Sequence, residues 1–343
     1  MEQQERLIPY MKHYMEFAMA DIRWLPYVVY FNRTGCTSPV INTDSAGFRV
    51  SHGPEGPRSL QDAPPTGAVS VLIGGSLTFG LGVSSDEHTI ASVLGRDPDG
   101  PTWLTLAAPG FNSTQEVVLF LLHRHQLTAV RDIVVLSGLN SLVVAGLPAA
   151  TADYGQFFWS GTFLRQMGVP EQKQPDWALG RRAAARRLFR RIARTGGAPD
   201  APPTLEAAAR VELAARTTAR DLARLCELAA PTGARVHFVL QPALAWTGKP
   251  PSPEEKALIE ENNQERRQMW DLFNEVLVPS VYPAYSERLA AECAALDVPY
   301  LDANSALAAG RTADDWLFVD QVHLSDEGSR VLSQIITAEL DRT

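Results

Sequence analysis

Val69-Ser-Val-Leu-Ile-Gly-Gly-Ser-Leu-Thr-Phe-Gly-Leu-Gly82 decides how the rest of this 343-residue chain is read. Val69, Val71, Leu72 and Ile73 form a short apolar run, the signature of a fully buried strand. The run stops at Gly74-Gly75, turns on Ser76 and leads toward a helix expected to begin near Ser85-Asp86. A serine at a tight strand-to-helix turn carries its hydroxyl over the sheet edge. Its own N–H and its neighbours' then face the same cavity, as a nucleophile needs. Gly-rich turns after strands also cradle phosphates or simply reverse the chain, so the meaning of this one depends on what the chain brings beside it.

Outward from this strand the pattern is strand, helix, strand, helix. Strands are expected at 69–74, 102–107, 132–137, 235–240 and 298–302, and helices at 86–95, 113–128, 205–230, 254–277, 280–295 and 325–340. Five short β-rich runs separated by helices predict a parallel sheet covered on both faces. Ligands of such sheets bind beyond the carboxyl ends of the strands. Ser76, Gly110, Asn140 and Gln241 each follow a predicted strand and are expected on one rim.

Residues 1–66 read as an N-terminal appendage and linker. Aromatics between Pro9 and Phe31 supply a docking helix and strand, and the Pro- and Gly-rich stretch from His52 to Gly67 reads as the linker. Residues 67–343 form the main body, with a helical insertion at about 141–234 that is longer than a crossover needs. Within it, Phe157, Phe158 and Trp159 are candidates for a substrate pocket or lid, or for ordinary insertion core. Farther on, Arg181-Arg-Ala-Ala-Ala-Arg-Arg-Leu-Phe-Arg-Arg-Ile-Ala-Arg194 sets Arg186, Arg187, Arg190 and Arg191 on one side of a helix. That side is either a solvated face or a docking surface for an acidic partner such as a carrier protein or the phosphates of coenzyme A.

Composition narrows the classes. A net charge of −8 gives no reason to expect nucleic acid. The polar start Met1-Glu-Gln-Gln-Glu-Arg lacks the regions of a signal peptide. The uncharged run 133–152 is interrupted by Gly138, Asn140, Gly146 and Pro148, so no membrane span is expected. Three widely spaced cysteines fit a reducing cytoplasm rather than a disulfide framework or zinc site. No Walker loop, H-E-x-x-H or dinucleotide fingerprint is present, so neither metal nor cofactor is expected.

Three more stretches bear on Ser76. Gly110, in Leu106-Ala-Ala-Pro-Gly-Phe-Asn-Ser-Thr-Gln115, sits before a helix that Ser113 is placed to cap, and its N–H is free to meet a bound oxygen. Asn140, in Leu136-Ser-Gly-Leu-Asn-Ser141, ends a strand and can aim its amide at the same point. With the Ser76 N–H they make a three-donor oxyanion hole. In Asp320-Gln-Val-His323, before a helix capped by Ser325, the spacing lets imidazole reach the rim while the carboxylate holds its other nitrogen.

Each stretch is common alone; together and in this order they resemble the SGNH subgroup of the GDSL esterase/lipase family. Gly74-Gly-Ser-Leu-Thr-Phe-Gly80 is similar to its serine block, Gly110 to its glycine block, Gly138-Leu-Asn140 to its asparagine block and Asp320-Gln-Val-His323 to its histidine block. One position departs: Gly75 stands where the family usually has aspartate. Residues 42–49 are also similar to a flank seen in some relatives, read here as structural. The resemblance implies a flavodoxin-like three-layer α/β/α sandwich with a five-stranded parallel sheet. It also implies a serine esterase or acyl hydrolase with Ser76, His323 and Asp320 as catalytic triad, acting on a small-molecule ester or thioester. Two alternatives stay open. One is a cytoplasmic acyltransferase fed by acyl-coenzyme A or an acyl carrier protein, and the other is a silent binding protein of the same fold.

Overall fold

The computed structural model describes residues 2–19, 23–64, 67–127, 129–147, 157–170, 205–265 and 267–342. Arg186, Arg187, Arg190 and Arg191 lie outside them, as does much of the expected insertion. Nine strands are found among the described residues: β1 Arg23–Leu25, β2 Val29–Phe31, β3 Ser51–Gly53, β4 Gly56–Arg58, β5 Val69–Gly74, β6 Thr102–Ala107, β7 Val130–Ser137, β8 Arg235–Leu240 and β9 Tyr300–Asp302. The last five form one wholly parallel sheet in the order β6-β5-β7-β8-β9. Counted within that sheet, this is the 2-1-3-4-5 order of flavodoxin-like folds, whose ligands bind where the order reverses, beside the first strand. Ser76 immediately follows that strand.

The sheet is an apolar slab because its strands alternate between two cores. Val69, Val71 and Ile73 of β5, with Ile133 and Val135 of β7, pack into a cluster that includes Leu119, Leu222 and Leu289. Those three leucines come from the helices Ser113–His123, Ala207–Ala229 and Tyr282–Ala295. Leu72, Val134, Leu136 and Val239 point the other way, onto Ile90, Leu307, Leu332 and Ile336. Full burial of one such side chain contributes about 1.5–3 kcal/mol, so the two-sided slab dominates the stability of the body. No helix among the described residues is long and apolar enough to cross a membrane.

Several boundaries differ from expectation. The stretch expected to be a linker contains the β3–β4 hairpin, with Ser51 opposite Arg58, because Pro54-Glu55 turns the chain and Gly56, at φ +92°, admits it back into three-residue pairing. The helix expected at 254–277 is described over Pro253–Glu265 and Arg267–Asn274, residue 266 lying outside the described residues, and it ends at Asn274 rather than 277. The helix after Gly110 is capped by Asn112, not Ser113. The Asn112 side chain accepts from the Gln115 N–H, and the Gln115 side chain reaches back in a reciprocal capping box. Directly after β5 the chain makes a four-residue helix, Ser76–Phe79, too short to leave a periodic pattern in sequence.

The N-terminal residues pack against this body. The Asn32 side chain donates to the carbonyls of Gly47 and Ala107, and Gln115 donates to Val28 O. Ile8, Met11, Tyr14 and Phe17 share an apolar cluster with Phe79 and Val319, so this segment meets the loops on either side of Ser76 and His323.

Candidate active site

Ser76 is the first residue of the short helix that leaves β5. Its Oγ lies 2.8 Å from His323 Nε2. The other ring nitrogen, Nδ1, lies 2.7 Å from Asp320 Oδ2. Asp320 Oδ1 accepts the backbone N–H groups of Val322 and His323, both at 2.8 Å. This loop geometry follows from the three-residue spacing: the carboxylate caps its own turn with one oxygen and holds the imidazole with the other. Ser325 then starts the last helix, Asp326–Leu340, accepting from Gly328 N–H and anchoring the loop. The Asp320 and His323 side chains are 9% and 12% exposed, enough for a substrate to reach the ring and little enough to shield the pair. Burial by itself raises the Asp320 pKa. The neighbouring imidazole, its hydrogen bond and the two backbone donors outweigh this and hold the carboxyl below its ordinary range.

The glycine and asparagine stretches converge on the same turn. Asn140 sits in the first turn of the helix Leu139–Val144 after β7, is 5% exposed, and its Nδ2 donates to Phe111 O at 2.8 Å. A Cβ placed on Gly75 would lie 2.7 Å from that Nδ2 and 3.3 Å from Phe111 O. Gly75 therefore leaves the space through which the Asn140 amide reaches the nucleophile turn, and any side chain there displaces the amide. That gives a physical reason for glycine at the one departing position. Gly110 precedes Phe111 with φ +78°, and its bare α-carbon is covered by Trp159 and Tyr30. Gln241, expected on the same rim, directly follows β8; its backbone N–H donates to Ser137 O at the end of β7 and its carbonyl accepts from Asn304 Nδ2. Among the expected pocket aromatics, Trp159 reaches Gly110, whereas Phe158 stacks on Phe273 at 5.8 Å. Phe157 closes a turn with the Ser160 hydroxyl.

Two polar groups beneath the site are not among the expected site residues, although Arg49 closes the 42–49 stretch read as structural. Arg49 is buried and straps the end of the Ser76 helix, donating to Phe79 O and Gly80 O while pairing with Asp86. Glu116 lies under β7, accepting from Ser137 Oγ at 2.6 Å. Its second oxygen is buried without a partner among the described residues. Burial pushes Glu116 up to about 8, opposed by the Ser137 hydrogen bond and reinforced by Asp221. The folded chain thus holds a proton that the unfolded chain releases above its ordinary 4.5, and stability falls as pH rises through this window. Glu116→Gln, neutral and isosteric, is expected to match the parent to within about 1 kcal/mol near pH 5 and to exceed it by about 4 kcal/mol at pH 8.5. Urea unfolding at both pH values checks this, and parallel stability profiles for the two proteins would refute it.

No protein-family model matches the sequence, and no curated protein matches it. Solved structures similar to it include a member of the lipolytic G-D-S-L family from Veillonella parvula, 12% identical, with 81% of this chain covering 100% of that one at a TM-score of 0.43. An extracellular lipase from Streptomyces rimosus is 12% identical, with 80% of this chain covering all 100% of that one at 0.43. A carbohydrate acetylesterase from Sinorhizobium meliloti is 13% identical, with 80% covering 98% at 0.39. Likenesses this distant carry no weight for the chemistry.

Proposed function

We propose that this chain is a serine esterase that cleaves a carboxylic ester or thioester through an acyl-enzyme on Ser76. The observation that supports it is the continuous relay from Ser76 Oγ through His323 to Asp320, with hydrogen bonds of 2.8 and 2.7 Å. In the first half-reaction the Ser76 oxygen attacks the acyl carbon while His323 Nε2 takes its proton. Asp320 keeps the proton on Nδ1, fixing the tautomer and stabilising the imidazolium. The tetrahedral oxyanion rests on the N–H groups of Ser76 and Gly110 and on the Asn140 amide. Collapse expels the alkoxide or thiolate, which leaves with the proton from His323. Water, deprotonated by the same imidazole, then attacks the acyl-enzyme and releases the acid.

The test is release of p-nitrophenol from acetyl through decanoyl esters, together with intact-mass detection of a fluorophosphonate adduct. Turnover above buffer and one adduct per chain, mapped to Ser76, are expected. Absence of both overturns the reading, and an adduct mapped to another residue moves the nucleophile. An acyl-enzyme that persists in water but discharges to an added alcohol would move the reading to an acyltransferase.

A further inference from the structure

The wall beside Gly110 holds a donor that neither the fold nor the proposed mechanism uses. Tyr30, in β2, is 5% exposed, and its hydroxyl is enclosed with no hydrogen-bond partner among the described residues. Phenylalanine would pack the same ring without leaving a buried hydroxyl unpaired. Burial drives the phenol well above its ordinary pKa, so it remains an O–H donor. That hydroxyl lies 3.0 Å from the point a Cβ on Gly110 would occupy, and two atoms of the Trp159 six-membered ring lie 2.8 and 3.1 Å from the same point.

Trp159 is the cover over this donor. Its ring meets that of Tyr30 edge-on at 4.9 Å. It is 50% exposed, and its backbone holds φ +58°, a left-handed conformation costly for a bulky residue. From Trp159 the aromatic wall continues through Phe158, at 5.8 Å, to Phe273 and then Trp270, whose buried indole N–H also lacks a partner among the described residues.

We infer that Trp159 occupies the acyl subsite in the free protein, and that a substrate acyl group displaces its ring and sets an acceptor oxygen on the Tyr30 hydroxyl. The inference rests on the ester-cleaving reading. With the substrate carbonyl oxygen on the Gly110 N–H, the first acyl carbons run beside the Gly110 α-carbon, where the hydroxyl lies. A plain alkyl chain leaves that hydroxyl as unpaired as it is in the free protein. An ether or hydroxyl oxygen on the carbon next to the carbonyl pairs it. The favoured acyl class is therefore alkoxyacetyl or 2-hydroxyacyl, and Tyr30 is a specificity-determining residue outside the proton relay.

The experiment compares kcat/KM for p-nitrophenyl methoxyacetate and the isosteric butyrate in the parent and in Tyr30→Phe. The methoxy ester is intrinsically the more electrophilic, so the quantity read is the change in the ratio between the two proteins. The ratio is expected to fall about tenfold in Tyr30→Phe, the loss of one hydrogen bond. An unchanged ratio overturns the inference. A second readout needs no turnover: methoxyacetamide and butyramide are titrated against tryptophan fluorescence, with Trp159→Phe as the blank. If neither ester is cleaved yet methoxyacetamide binds more tightly in a Tyr30-dependent manner, the esterase reading fails and the subsite stands. If the amides show no Tyr30-dependent difference, the subsite fails whatever the esterase result.

Discussion

Ser76→Ala is expected to lower kcat for p-nitrophenyl esters by about 10⁴-fold or more while leaving the urea midpoint nearly unchanged. The Ser76 hydroxyl meets His323 Nε2, and its removal leaves a solvent-accessible imidazole rather than a buried orphan, so little stability is lost. The proposed oxyanion donors, the backbone N–H groups and Asn140, are untouched by the substitution, so a residual rate above that of buffer is expected. Asp320→Asn is expected to cost about 10⁴-fold at neutral pH by a different route. An amide N–H₂ facing Nδ1 turns the ring to the tautomer that cannot accept the serine proton. Since the residues act as one unit, Ser76→Ala/Asp320→Asn should be no slower than Ser76→Ala alone; multiplying losses would show that Asp320 acts outside the relay. Asp320 also links activity to acid stability. Its pKa is lowered in the fold, so its stabilising share is full above the ordinary carboxylate range and is lost as pH falls through the lowered value. Acid unfolding of Asp320→Asn should lack that loss.

What the sequence made legible is local. β5, β6 and β8 begin and end where the apolar runs do, because each is a continuous buried stretch bounded by turn residues. Ser76, Gly110 and Asn140 are readable as strand-end residues, and Asp320 with His323 as a loop pair, because each signal fits within a few residues. The spacing cannot convey that Gly75 lies empty beside the Asn140 amide, since residues 75 and 140 meet only after β5 and β7 pair. Tyr30 belonged to a stretch read as a generic docking aromatic run. Its position under Trp159 and against Gly110 needs three distant segments to close on one point. The short helix Ser76–Phe79 escaped for the opposite reason: four residues are fewer than two helical turns and carry no period.

Arg49→Met is the variant expected to cost the most stability, about 3–5 kcal/mol, because it breaks a buried ion pair from one side. The Arg49 and Asp86 side chains are 1% and 2% exposed and meet at 2.8 Å. The guanidinium spends its remaining donors on Tyr14 Oη, Phe79 O, Gly80 O and Val40 O. Asp86 in turn accepts from the Asn42 backbone and side chain. Removing the cation strands a carboxylate in the interior and frees two carbonyls at the end of the helix that begins with Ser76. Arg49→Lys should not rescue it, since one ammonium cannot span the acceptors that the planar fork reaches. Arg49→Met/Asp86→Leu should recover part of the loss, because the uncompensated charge is then gone. Urea midpoints for the single and double variants decide this; a double variant as unstable as the sum of its parts would mean that the two residues do not act as a pair. Turnover supplies the functional half. Under conditions where Arg49→Met remains folded, kcat should still fall, because the carbonyls of residues 79 and 80 fix the turn from which Ser76 meets His323. A folded Arg49→Met protein with full kcat would confine Arg49 to stability and leave the geometry of Ser76 to β5 and the His323 loop alone.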